Sequence, residues 1–243
     1  MDPVDPFLPP PAIPAADADT TFARIWEIRD ALVQRVWGPF DGVYVQRSRA
    51  GSGPYVYVSE IGPPAPVQPP TRWTYVTGGL ALPWSADLAE VNAEDYSATL
   101  DQVDAEALSA AEAQGLQWSG AGFELVLHTP HQAPWAVHVL HNLGQYVLQS
   151  GDGFASGHRI PLDGPIIRDS ESALQVLLLA PPADRAPLFK LPSGLAQWLV
   201  AIGITRDEWQ FAQRAGSAAL LGALRHAGVG DLTDPARASI FAG

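Results

Sequence analysis

The sequence predicts a mixed α/β (α+β) domain, a mixed β-sheet flanked by helices. Three observations lead there. "ALQVLLLA" (173–180) is an apolar run of strand length broken at Gln175 alone, as expected of a central strand covered on both faces. "PWAVHVLHNLGQYVLQSG" (134–151) carries helical periodicity, with proline at a first-turn position and glycine as terminator. Strand-like and helix-like patterns alternate between them and on either side, which favours a layered sheet and helices over an all-α or all-β fold.

The elements follow in chain order. Residues 1–18, "MDPVDPFLPPPAIPAADA", read as a flexible Pro/Ala/Asp-rich tail. "TTFARIWEIRDALVQRVWGP" predicts a helix with Phe22, Ile25, Trp26, Leu32, Val33 and Val36 at helical spacing. Thr20 or Thr21 suits its N-cap, and Gly38-Pro39 stops it. Strands are expected at 43–47, 55–61 and 72–79, with the Pro-rich "GPPAPVQPP" (62–70) as a loop, since proline has no ladder donor. Residues 85–118 are acidic and alanine-rich, with helical character near 105–113, and read as an insertion. "GFELVLH" (122–128) alternates, placing Phe123, Leu125 and Leu127 on one face. A further strand is expected at 194–204. The last helix begins with a capping box, Thr205 and Glu208, and has a weak point at Gly216. Residues 19–243 thus make one domain.

Composition narrows function. Lysine and arginine number 14 against 26 acids, a net charge of −12. No basic residue lies between Trp73 and His158, a span holding ten acids. Nucleic acids and anionic membranes both need a cationic footprint, so neither is expected as a partner. A basic protein suits this surface better. There is no cysteine, hence no disulfide and no thiolate chemistry. The N-terminus has acids and prolines where a signal peptide needs basic residues and an apolar helix, so a cytoplasmic location is expected.

The chemical motifs are sparse. "SGDGFASGH" (150–158) is glycine-rich, but its spacing is not G-x-G-x-x-G, it follows a helix, and no lysine comes after it. No G-x-S-x-G is present. His128, His131, His138 and His141 form two H-x-x-H pairs, the pattern from which a metal-dependent hydrolase is conceivable, although no H-E-x-x-H accompanies them. The acids from Asp87 to Asp104 read as a solvated segment rather than paired catalytic carboxylates. Trp73, Trp84 and Trp118 are each either core residues or binding anchors. No cofactor, resident metal or catalytic residue is expected.

Five blocks in order closely resemble the Suppressor of fused domain: "RWTYVTGGL" (72–80), "GAGFELVL" (120–127), "PWAVHVLHNLGQYVLQSGDGFASGHRIPL" (134–162), "SALQVLLLA" (172–180) and "WLVAIGITRDEWQFAQRAGSAALLGAL" (198–224). The resemblance implies a non-catalytic protein-binding domain. In the animal Hedgehog pathway, family members hold zinc-finger transcription factors by capturing an extended segment between two domains. A tyrosine on the central helix and an acid in the following loop make contact there. The tyrosine corresponds to Tyr146. The acid corresponds to His158, a departure from the pattern, and the second domain is not expected in this chain. Single-domain bacterial relatives are taken for immunity proteins of polymorphic toxin systems. The resemblance therefore implies a partner that is a protein, conceivably a basic toxin domain, gripped around Tyr146, Phe154, His158 and Arg159. The alternatives are a regulator or scaffold that captures an extended peptide at a sheet edge, and a histidine-based hydrolase.

Overall fold

The computed structural model describes residues 20–45, 56–63, 72–84 and 118–242. The 1–18 tail, the side chains of Thr20 and Thr21 on which the expected cap depends and, apart from Trp118, the 85–118 insertion lie outside what is described.

Eight strands make one sheet: β1 (Gly42–Val45), β2 (Tyr57–Ile61), β3 (Trp73–Gly78), β4 (Trp118–Thr129), β5 (Arg159–Pro161), β6 (Leu174–Ala180), β7 (Leu188–Leu191) and β8 (Gly194–Thr205). Four helices accompany them among the described residues: α1 (Thr20–Trp37), α2 (Pro134–Ser150), α3 (Arg206–Ala215) and α4 (Ser217–His226). The spatial order is β1-β2-β3-β4-β8-β6-β5, and β7 folds back on β8 as a hairpin. Among the described strands only β4 and β8 pair in parallel. The sheet is thus mixed, as the alternation of patterns predicts.

Strand alternation divides the core in two. Phe123, Leu125 and Leu127 of β4, with Leu177 and Leu179 of β6, face α2, which buries Ala136, Val137, Leu140, Leu143 and Val147 against them. Val126, Val176, Leu178, Trp198, Val200 and Ile202 face the other way, toward Ile25, Ile28, Leu32 and Val33 of α1 and Ala212, Leu220 and Leu224 of α3 and α4. Apart from the half-buried Gln175, the run at 174–180 is apolar on both faces because both are covered. At the centre of α2, Gly144 lies so close to β2 that a Cβ there would sit 2.7 Å from a Val56 methyl.

The termini of these elements obey their local chemistry. Gly151 takes a left-handed conformation at the end of α2 and its N–H donates to Val147 O. The capping box is formed: Thr205 Oγ1 accepts from Glu208 N, and Thr205 N donates to Glu208 Oε2. Gly216, at φ 90°, breaks the expected last helix into α3 and α4. Two strands had no sequence signal: β5 has three residues and includes a proline, and β7 has four. β4 begins at Trp118, four residues before the expected strand, with an irregular register between Trp118 and Phe123.

One charged network crosses the α1 face. Arg29, fully buried, donates to Asp30 at 2.7 Å and Tyr57 at 2.9 Å, and also to Thr77 O. Its Nε lies 3.5 Å from Glu124 Oε1. Glu124, also fully buried, accepts from Thr77 Oγ1, Gly79 N and Ala81 N. Burial works against the arginine's charge, yet Tyr57, Glu124 and Asp30 together hold its pKa above the ordinary guanidinium value. Such a pair fixes α1 against β3, β4 and the backbone at Gly79 and Ala81, and forbids removal of either partner alone.

Candidate protein-binding surface

The surface begins where α2 stops. Gly151 turns the chain back, and Phe154 packs beneath the end of the helix, its ring 5.9 Å from Phe123 in the core. Its other side meets Tyr146, stacked at 5.8 Å with 14° between planes. Phe154 is therefore half-buried and belongs to the core and the surface at once. Tyr146 remains 49% exposed, one of the few large hydrophobic side chains in that state. Its hydroxyl donates to Asp152 Oδ2 at 3.3 Å, which steadies the ring without burying it.

The chain then reaches the sheet. Gly157, at φ 86°, donates to Leu179 O, and its own carbonyl accepts from Ser217 Oγ at 2.8 Å. His158 is exposed; its Nδ1 accepts from Ala155 N at 3.4 Å and its carbonyl accepts from Leu179 N. β5 follows as the last strand of the sheet, paired with β6 only. The bonds of His158 and Leu162 to β6 fix the alternation, so the Arg159 N–H and C=O point outward, away from the sheet. Pro161 points the same way and offers a carbonyl but no donor.

Of the four expected contact residues, the structure brings Tyr146 and Phe154 into direct stacking. His158 and Arg159 lie at the entry to β5. Arg159 pairs with Leu178, whose side chain belongs to the α1 side of the core, so its side chain is on the opposite face of the sheet from the aromatic pair. One of its guanidinium nitrogens, Nη1, is buried and has no hydrogen-bond partner among the described residues. The four residues thus surround an edge rather than line one face.

The histidines do not converge. His128 is fully buried, its Nδ1 3.0 Å from Thr74 Oγ1. His141 is 5% exposed, with Nε2 3.1 Å from Tyr44 O. His131 and His138 are exposed. Along α2, His138 is exposed while His141, on the next turn, is buried and bonded to Tyr44 of β1. No group of three or more His, Cys, Asp or Glu suited to a metal occurs among the described residues. Burial, reinforced by Arg72 and Arg185, drives His128 well below the ordinary imidazole range; burial drives His141 to about 4. Both are neutral core groups near pH 7. Of the three tryptophans in question, Trp84 packs on Phe22 and Trp26, Trp73 is half-buried, and Trp118 is 42% exposed.

Sequence reasoning missed the edge itself. Three residues are too few to show period two, and only the position of Pro161 hinted at a strand with a free side.

Comparison with known proteins agrees with this architecture. The sequence profile of the family described as Suppressor of fused protein (SUFU) matches residues 54–238. The Suppressor of fused homologs of Mus musculus and Homo sapiens are each 32% identical over 113 residues, which is 44% of this chain. The match spans only 23% of the length of those relatives. Among solved structures, one of a Sufu–Fu complex is similar with a TM-score of 0.61 at 20% identity, covering 91% of both chains. Drosophila Suppressor of Fused has the same TM-score at 21% identity, over 90% of this chain and 50% of that one. A homolog from Neisseria gonorrhoeae reaches 0.57 at 16% identity, over 92% and 98%.

Proposed function

The chain belongs to the Suppressor of fused family, and from that premise we propose that it is a non-catalytic protein-binding domain. Its contact surface is the Tyr146–Phe154 stack together with the outer edge of β5. One observation carries this reading: an exposed aromatic, held by a half-buried one, stands beside a strand whose outward backbone groups have no partner strand among the described residues. Edge addition supplies main-chain hydrogen bonds, and flanking side-chain sites supply selectivity. Aromatic anchors on a rigid base are the usual centres of such contacts. A structural neighbour described as a Sufu–Fu complex supports the use of this fold for holding another protein.

The finer reading is an immunity protein that neutralises a cognate toxin by occluding its active site. The net charge of −12 supports it: an acidic binder gains association rate against a basic partner and rejects acidic ones. A Neisseria gonorrhoeae homolog shares this fold over nearly the full length of both chains. The test is co-expression with the toxic product of a neighbouring gene. Rescue and a stable complex are expected, with both lost in Tyr146→Ala. Absence of any partner among neighbouring gene products, with no rescue, overturns the immunity reading. A partner held as an extended segment but without toxicity supports the scaffold reading instead, which the open β5 edge favours equally.

A further inference from the structure

A cavity of about 330 Å³ lies against the other face of the β5–β6 edge, and the reading above leaves it unused. Its apolar walls are Pro161, Val176 and the Trp209 indole; its polar groups are Asp163, Gln175 and Arg206. Register fixes its place. Pro161 pairs with Val176, whose side chain packs in the α1-side core, so the cavity opens on the side opposite Tyr146 and Phe154.

Its chemistry is selective. Asp163 and Arg206 contribute opposite charges to one cavity, and neither side chain has an ion pair or hydrogen bond among the described residues. A carboxylate entering here gains Arg206 but meets Asp163, and an ammonium meets the reverse. A neutral planar group with one acceptor and two donors satisfies both. Trp209 adds an aromatic side chain to the lining. The volume is at the lower limit for small-molecule sites, so it suits one side chain rather than a large ligand.

We propose that this cavity is a carboxamide site, and that it receives an Asn or Gln side chain from the segment captured along β5. The source of the side chain rests on the binding surface proposed above; the cavity's preference does not. In an added strand, the residue opposite Pro161 projects to the cavity's face and its neighbours project toward the Tyr146–Phe154 face. The partner's motif is then a carboxamide residue flanked by apolar or aromatic ones.

The test titrates benzamide, benzoate and benzylamine into the full chain and follows the Trp209 indole N–H and the Arg206 Nε–H by NMR. Benzamide is expected to give saturable shifts, with the two charged probes about tenfold weaker or worse. Asp163→Asn, tolerated at that left-handed position (φ 55°), should move the preference toward benzoate, and Arg206→Gln toward benzylamine. No saturable benzamide shift, or an unchanged order of preference in both variants, overturns the proposal. Benzamide binding with partner binding intact in Tyr146→Ala keeps the cavity and discards the aromatic surface. The opposite pair of results discards the cavity alone.

Discussion

His141 makes the fold acid-sensitive in a defined window. Its imidazole is folded against β1, donating from Nε2 to Tyr44 O, and is 5% exposed. Burial lowers its pKa from 6.5 to about 4, with the Tyr44 contact opposing and His138 adding to the fall. A folded value below the unfolded one means that the unfolded chain binds the proton first. Stability is therefore full above about pH 6.5 and declines as the pH falls toward 4. The loss is about 2 kcal/mol at pH 5 and about 3 kcal/mol once both states are protonated. Asp184, which its hydrogen bond to Arg185 lowers to about 2, stays ionised in the folded state across this interval. Its stabilisation is lost only below about pH 4, outside this window. Denaturant unfolding at pH 7.5 and pH 5.0 should show the decline. His141→Gln keeps a donor for Tyr44 O and cannot titrate, so its stability should fall by about 2 kcal/mol less over the same interval. The remaining fall belongs largely to His128, whose pKa burial and the neighbouring arginines also depress. An equal pH dependence in wild type and His141→Gln refutes the argument.

Gly144→Ala should destabilise the protein by about 1–3 kcal/mol in denaturant melts, although alanine is the better helix former, because the new methyl meets Val56. Adding Val56→Ala should make the second substitution less costly than it is alone. Arg29→Met should cost about 3–5 kcal/mol by leaving Glu124 buried without its countercharge, and Arg29→Met with Glu124→Gln should recover part of that. Tyr146→Ala should leave the melting temperature within a degree or two of wild type while weakening partner binding at least about tenfold in calorimetry. Phe154→Ala should lower both, since its ring also packs on Phe123.

Legibility followed element length and local chemistry. The helix at 134–150 and the strand at 174–180 were readable because each repeats its pattern over several turns or pleats and has defined ends. The box at Thr205 and Glu208 was readable because both partners lie within one turn. β5 and β7 were not, being too short for any period to emerge. The burial of His141 was not legible because helical spacing gives the angle of a side chain but not what packs against it; β1, distant in sequence, decides that. Tyr146 was singled out by resemblance, whereas its stack on Phe154 depends on how Gly151 turns the chain.

Residue order by itself determined the type of fold, the positions of the longer elements, the acidity of the surface and the family, because those depend on periodicity, capping and composition along one segment. Only the tertiary structure decided that β5 is an edge, that Arg159 and Tyr146 flank it on opposite faces, and that Asp163 and Arg206 share a cavity. Those are relations between segments far apart in the chain, set by which strand lies beside which, and no local pattern encodes them.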